Sequence, residues 1–470
     1  MFYRPENSVA ADVIPFYKDG EFYLFYLRDY RNIEKCGEGT PWFLLKTKDF
    51  VSFEEMGEVL PRGGKEEQDL YVFTGSVIQK DEVNYIFYTG HNPHYIEDGR
   101  PQEAVMMATS TDMKIWTKQS DFLLQVPDFM EKNDFRDPFV FWNEEIEKYV
   151  MLLAARHKTG AVDRRGYTAY AVSDDLWNWE VKEEAFYDPG VYFTHECPDL
   201  FQIGEWWYLV FSEFTDKVIT RYRMAKSWNG PWITPEYDTF DNRNFYAAKT
   251  VTDGKNRFAI GWNPTNVEDK DYEPEQWGGN IVVHKVVQQE DGQLMVEMPE
   301  MVRNAYKTPI VFREKEISGV VTKKDGGWVI GKVDGFSCLI FEKMPDQCKL
   351  SFDVTARNGV KKFFLTLNSD EKMETGYYIW FDLTMKRMAF DRRPRRRNEH
   401  PFILETERKI NIKENVVYKV ECLIDHSVLE VYFNDKVALS ARMNELRADY
   451  FGFGCEYGEV EIQNLRIETI

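Results

Sequence analysis

Three acidic residues stand at the starts of short apolar segments that are far apart in the chain. They are Asp12 in Ala10-Ala11-Asp12-Val13-Ile14, Asp137 in Phe135-Arg136-Asp137-Pro138-Phe139, and Glu196 in Thr194-His195-Glu196-Cys197-Pro198. Apolar and aromatic neighbours make an unpaired carboxylate expensive at such places. A lone acid at a strand edge is ordinarily a turn cap or an ion-pair partner; three at matching positions of a repeat point to shared chemistry. Cleavage of a glycosidic bond requires two carboxyl groups, one ionised to attack and one protonated to help the leaving group depart. An aromatic, water-poor channel raises a carboxyl pKa, which suits the acid. The longer arm of Glu can follow a leaving oxygen.

Convergence of these groups depends on a repeat. An apolar strand, a polar turn and an aromatic strand recur as Val13 to Tyr26, Ser76 to Tyr88, Pro138 to Leu153, Asp199 to Ser212 and Lys249 to Trp262. A second pattern trails the first: Thr47-Lys48-Asp49-Phe50, Ser110-Thr111-Asp112-Met113, Ser173-Asp174-Asp175-Leu176 and a degenerate Ser227-Trp228-Asn229-Gly230. Each reads as a turn into an outer strand anchored by an aromatic. Strand, hairpin, strand, turn and strand at this spacing predict propeller blades, whose first strands line an axial channel. The expected architecture is all-β: a five-bladed β-propeller over residues 1–300, a short packed linker over 301–315, and an antiparallel β-sandwich over 316–470. The abundance of Tyr, Phe and Trp (26, 34 and 13) fits strands.

The motifs on this frame resemble glycoside hydrolase family 32, the β-fructosidases. Phe135-Arg136-Asp137-Pro138 is similar to the family's Arg-Asp-Pro motif, Glu196-Cys197-Pro198 to its Glu-Cys-Pro motif, and Phe73-Thr74-Gly75-Ser76 to its Phe-Ser-Gly-Ser motif. Phe245-Tyr246-Ala247, Trp277-Gly278-Gly279, Pro299-Glu300 and the sandwich segment Asp425-His426-Ser427 to Asp435 follow in the family's order. The resemblance implies Asp12 as nucleophile, Glu196 as general acid/base and Asp137 as a transition-state stabiliser gripping fructose hydroxyls. It implies that Arg136 orients the carboxylates, and that Trp42, Phe73, Ser76, Tyr246 and Trp277 contact the sugar. Ordinary blade packing accounts equally well for Trp42 and Phe73. The reaction expected is release of terminal β-fructosyl units by double displacement, with no cofactor and no metal. The alternatives are an inverting arabinoside or xyloside hydrolase of a related propeller family, and a carbohydrate-binding protein without turnover.

Departures cluster in the first blade. Only the Asp of the family's Trp-Met-Asn-Asp-Pro-Asn-Gly segment remains, Leu27-Arg28-Asp29 stands where a Gln is usual, and Trp42-Phe43-Leu44 replaces Trp-Gly-His. Ala10 and Ala11 are small and Arg28 and Asp29 are charged, so the leaving-group side is expected to differ from one built for sucrose.

Composition excludes other classes. A net charge of −20 repels phosphate backbones and anionic lipid, which argues against nucleic acid and membrane partners and leaves a small neutral carbohydrate. No apolar run approaches the ~18 residues of a membrane span. Six scattered cysteines offer neither zinc spacing nor a disulfide framework. With no signal-peptide pattern at Met1-Phe2-Tyr3-Arg4, a cytoplasmic protein is expected. His91-Asn92-Pro93-His94 reads as a turn rather than a metal site. The basic run Arg392 to Arg397 reads as a solvated hairpin loop.

Overall fold

The computed structural model describes residues 1–342, 344–395 and 406–470. Five strands carry the first unit of the repeat: β1 (Val9–Lys18), β2 (Tyr71–Lys80), β3 (Met130–Asn143), β4 (Glu196–Ile203) and β5 (Tyr246–Thr252). Each pairs antiparallel with the strand that follows it in the chain. Each also touches the next of the five, and β5 returns to β1, so they close a ring around one axis. The closure is covalently remote but hydrogen-bonded: Ala10 of β1 pairs with Gly279, which joins the first and last units into one sheet. A Cβ on Gly279 would lie 1.8 Å from the Asn263 carbonyl oxygen, and one on Gly278 would lie 3.1 Å from Ala11 Cβ. Small residues on both sides therefore let the ring shut. Ala10 and Ala11 are fully buried in that seam.

The trailing pattern has one physical basis in three units. Thr47, Ser110 and Ser173 accept through their side-chain oxygens from the N–H groups of Phe50, Met113 and Leu176 at 2.9, 3.0 and 2.9 Å. Asp49, Asp112 and Asp175 each accept from two further N–H groups. This side-chain mimicry of a turn lets Phe50, Met113 and Leu176 adopt positive φ while pointing into the blade. The Trp116 and Trp179 indoles donate to the Met113 and Leu176 carbonyls.

The helix Glu300–Ala305 follows the propeller, with Val302 buried and Arg303 bound to both Glu421 and Asp435. Beyond it lies a sandwich organised by one long strand, Tyr450–Thr469. This strand pairs with Gly327–Phe341, Gln347–Arg357 and Lys362–Ser369 in turn. Its main core cluster includes Leu350, Phe363, Phe381, Val431 and Phe453, and a smaller one gathers Ile340, Phe364, Tyr378 and Trp380. Leu423, Val428, Tyr432 and Ala438 belong instead to one of the apolar clusters of the propeller. Arg442, also from the sandwich, reaches across to the carbonyls of Asn263 and Pro264. In the basic run, Arg392 pairs with Asp271 and Arg395 with Asp391, while Arg393 lies over Tyr378 and Trp380. Arg396 and Arg397 fall outside the described residues.

Candidate active site

Every strand of the ring slips register near its start: between Ala11 and Ile14, Phe73 and Gly75, Arg136 and Phe139, Glu196 and Asp199, and Tyr246 and Lys249. Such bulges re-aim a side chain out of the alternating pattern. Asp12 (φ 37), Asp137 (φ 60), Cys197 (φ 51) and Ala247 (φ 51) occupy the left-handed region at this point. Backbone of that kind in non-glycine residues costs of order 1–3 kcal/mol and concentrates at functional sites. The register corrects one expectation. Asp12 and Asp137 are structural equivalents, whereas Glu196 stands one residue earlier, level with Arg136 and Tyr246. Cys197 fills the bulge position in that unit.

The three acids line one cavity of ≈ 560 Å³. Asp12 accepts from Thr74 Oγ1 at 2.7 Å and from Trp262 Nε1 at 2.9 Å, one donor for each oxygen. Asp137 accepts from the Cys197 N–H at 2.9 Å, and its own N–H donates to Thr89 at 2.8 Å. Glu196 accepts from Arg136 Nη2 at 3.2 Å and from the Tyr246 hydroxyl at 2.5 Å. Arg136 is held from behind by Asp134 and Glu103, and Glu103 also accepts from the Phe135 N–H.

Burial raises all three carboxyl groups. It pushes the Glu196 carboxyl up to about 7; Arg136 and the Tyr246 hydrogen bond oppose the rise, and the charges of Asp137 and Asp12 add to it. Burial lifts Asp12 only to about 6, because the Thr74 and Trp262 hydrogen bonds stabilise its anion against the repulsion from Asp137. Asp137 is raised by burial against the pull of Arg136 and the Cys197 N–H. Two carboxyl groups with separated pKa values on one cavity can divide acid and nucleophile work between them.

Of the other residues expected around the sugar, Arg136, Phe73, Tyr246 and Trp277 line the cavity. Trp42 and Ser76 do not. Trp42 begins the third strand of its unit, a layer away from the axis, and is fully buried with its indole donating to the Val72 carbonyl at 3.1 Å. Ser76 lies further along β2, and its hydroxyl is spent accepting from the Val140 N–H at 3.0 Å. Arg28 also turns away, toward Ser8 and the Phe43 ring. The His91–His94 segment, expected to be a turn, instead ends the strand Val83–His91 and enters the 3-10 helix Pro93–Asp98 capped by Asn92, with His94 bound to Glu38 and His91 stacked on Phe73. Asp29, expected to charge the leaving-group side, does line the cavity; sequence reasoning missed Thr74 and Trp262, the two donors to Asp12, and Arg243 and Glu275 on the cavity wall. Thr74 was within reach, since it sits inside the Phe73-Thr74-Gly75-Ser76 motif; the partners of Trp262 had no local signal.

A second acidic cluster lies at the seam of the two domains. Asp241, His284 and Glu430 bring ligand-type atoms within 4.8 Å of one another. Hydrogen bonds account for the arrangement. His284 Nε2 is 3.0 Å from Asp241 Oδ2, its Nδ1 is 2.9 Å from the Tyr432 hydroxyl, and Ser440 Oγ lies 2.7 Å from both carboxyl groups. A hydroxyl has one hydrogen, so one of the two carboxyl groups must bring its own. Burial and the charge of Asp241 drive the Glu430 pKa up, which makes Glu430 the protonated one.

Comparison with known proteins identifies the family. The model of the glycosyl hydrolases family 32 N-terminal domain matches residues 5–299, and that of the family's C-terminal domain matches residues 314–467. A sucrose-6-phosphate hydrolase of Zymomonas mobilis is 24% identical over 440 residues, covering 88% of this chain and 80% of that protein. The levanbiose-producing levanase of Bacillus subtilis is 27% identical over 264 residues, covering 53% of this chain and 45% of the levanase. Among solved structures, the sucrose-6-phosphate hydrolase of Lactobacillus gasseri superposes with a TM-score of 0.75 at 17% identity, covering 99% and 92% of the two chains. Fructan 1-exohydrolase IIa of Cichorium intybus gives 0.73 at 14% identity, covering 100% and 97%. With both of its domains matched in order, the chain belongs to glycosyl hydrolase family 32.

Proposed function

We propose that the protein is a retaining fructosidase that releases terminal β-D-fructosyl units from a small fructoside or fructo-oligosaccharide. The observation that carries this reading is the pair of unlike carboxyl groups on one cavity, Asp12 accepting from Thr74 and Trp262 and Glu196 accepting from Arg136 and Tyr246. In the proposed sequence the Asp12 carboxylate attacks the anomeric carbon of the fructosyl unit while Glu196 protonates the departing oxygen. Glu196, now ionised, then takes a proton from water, and the resulting hydroxide opens the Asp12 ester with net retention. Asp137, fixed by the Cys197 N–H, accepts hydrogen bonds from fructose hydroxyls. Arg136 keeps Glu196 and Asp137 in place, as a planar guanidinium with several fixed donors can. Phe73 and Trp277 supply apolar wall against the sugar faces.

The relatives named for sucrose 6-phosphate and levan support a fructosyl substrate. Family membership in both domains gives no support to the inverting arabinoside or xyloside reading. We place the enzyme in the cytoplasm, a reading supported by its six free cysteines. No helix among the described residues is long and apolar enough to cross a membrane. The test is to incubate the protein with sucrose, 1-kestose and short levan oligomers and to follow fructose by NMR from the first turnover. Release of the β-anomer supports the proposal; initial release of the α-anomer, or no release from any fructoside, rejects it.

A further inference from the structure

The cavity wall away from the three acids is charged, and its charges are already paired. Asp29 ends the strand Glu21–Asp29, and both of its oxygens are engaged by Arg31, through the backbone N–H at 2.9 Å and Nη1 at 2.9 Å. Arg31 also donates to Thr265 and to the Trp277 carbonyl, so Asp29 is pinned across the seam between the first and last units. Elsewhere on the cavity wall, Arg243 binds Glu275 at 2.7 and 2.9 Å. Five carboxyl groups and two guanidinium groups line the cavity in all, and each guanidinium is held by carboxylate.

We propose that Asp29 and the Arg243–Glu275 pair form a leaving-group subsite that accepts an uncharged sugar and rejects a phosphorylated one. The inference rests on the fructosidase reading and adds the class of leaving group. A carboxylate offers several lone pairs, so Asp29 can accept from sugar hydroxyls while bound to Arg31, and Arg243 can donate to them. A phosphate needs a cation it can engage bidentately. Here it would have to displace Glu275 from Arg243, and it would sit among like charges, which discriminates by repulsion rather than by lack of contacts. The net charge of −20 adds a repulsive field to its approach. This chain would thus part from those relatives that are named for sucrose 6-phosphate.

The test compares kcat/KM for sucrose, 1-kestose and sucrose 6-phosphate, at low and high salt, in the wild type, Asp29→Asn and Glu275→Gln. The wild type should prefer the better neutral substrate over sucrose 6-phosphate by at least about tenfold, the scale set by one like charge in a partly hydrated site. Salt should narrow that preference by screening. Each variant should narrow it by about tenfold as well. Because Asp29→Asn also disturbs Arg31, Glu275→Gln, in a separate ion pair, is the independent check. Equal or better turnover of sucrose 6-phosphate by the wild type, or an unchanged ratio in both variants, overturns the proposal while leaving the fructosidase reading intact. Absence of fructose from all three substrates overturns both.

Discussion

Two groups of buried acids in this molecule share their chemistry and differ in their surroundings. At the ring axis, Asp12, Asp137 and Glu196 gather around Arg136; at the domain seam, Asp241 and Glu430 gather around His284. Burial raises Glu196 and Glu430 alike. The seam, however, is closed: Asp241, His284 and Glu430 have essentially no exposed surface, and their hydrogen bonds run to Ser440, Asn242, Tyr432 and one another. The axis is open: the Glu196 side chain keeps 22% exposure to a cavity that also reaches Asp12 and Asp137. The backbone differs too, since Asp12 and Asp137 are left-handed and none of the seam residues is. A perturbed carboxyl is therefore not in itself a catalytic sign. Strained backbone aimed at an open cavity makes the distinction, and the seam spends the same residue types on joining two domains.

That contrast predicts opposite outcomes for matched substitutions. Asp12→Ala should lower kcat by about four orders of magnitude or more, since no other group attacks, while leaving the melting temperature near that of the wild type. Asp241→Asn should do the reverse. Losing the charge that pairs His284 inside a closed seam should cost about 3 kcal/mol in chemical denaturation, with activity per folded molecule retained. If Asp241→Asn abolished activity without loss of stability, the division between the two clusters would be wrong.

The pH dependence of kcat/KM should be bell-shaped. Below about 6 Asp12 gains a proton and cannot attack, and above about 7 Glu196 loses the proton that the leaving group needs. The two limbs belong to the interacting site as a whole. Glu196→Gln should remove the alkaline limb, and persistence of that limb would assign it to another group.

The smallest effect concerns Glu430. Its folded pKa lies above the unfolded value, so the stability it contributes is full below the unfolded carboxyl range and is lost as pH rises through the folded pKa. Glu430→Gln mimics the protonated form and should change stability by less than about 1 kcal/mol at mildly acidic pH. Wild type should fall behind the variant as pH increases. A large loss in Glu430→Gln at every pH would mean that the seam carboxyl is ionised.

Much of the fold was legible because its determinants are local. The Thr47–Asp49, Ser110–Asp112 and Ser173–Asp175 turns are side chain to backbone bonds within a few residues, so their spacing can be read along the chain. The convergence of Asp12, Asp137 and Glu196 followed from the repeat. The offset of Glu196 did not, because a bulge changes register without changing composition. Trp42 and Ser76 show the same limit: residue type suits a sugar pocket, but strand order within the blade and the demand of the Val140 N–H decide where they point. Ala10 and Ala11 were read as altering the leaving-group side; in the structure they shut the ring against Gly278 and Gly279. The seam cluster was invisible, since it joins Asp241 and His284 of the propeller to Tyr432 of the sandwich, 148 residues beyond His284.

The most direct test of the central claim is to catch the covalent step. Glu196→Gln lacks the group that activates water, so an activated aryl fructoside, which needs little protonation, should form the ester faster than it is hydrolysed. The variant is quenched during turnover, digested and examined by mass spectrometry. The account predicts a fructosyl adduct on the peptide containing Asp12, located to Asp12 itself. An adduct on Asp137 or elsewhere, or no adduct together with α-anomer as first product from the wild type, would contradict it.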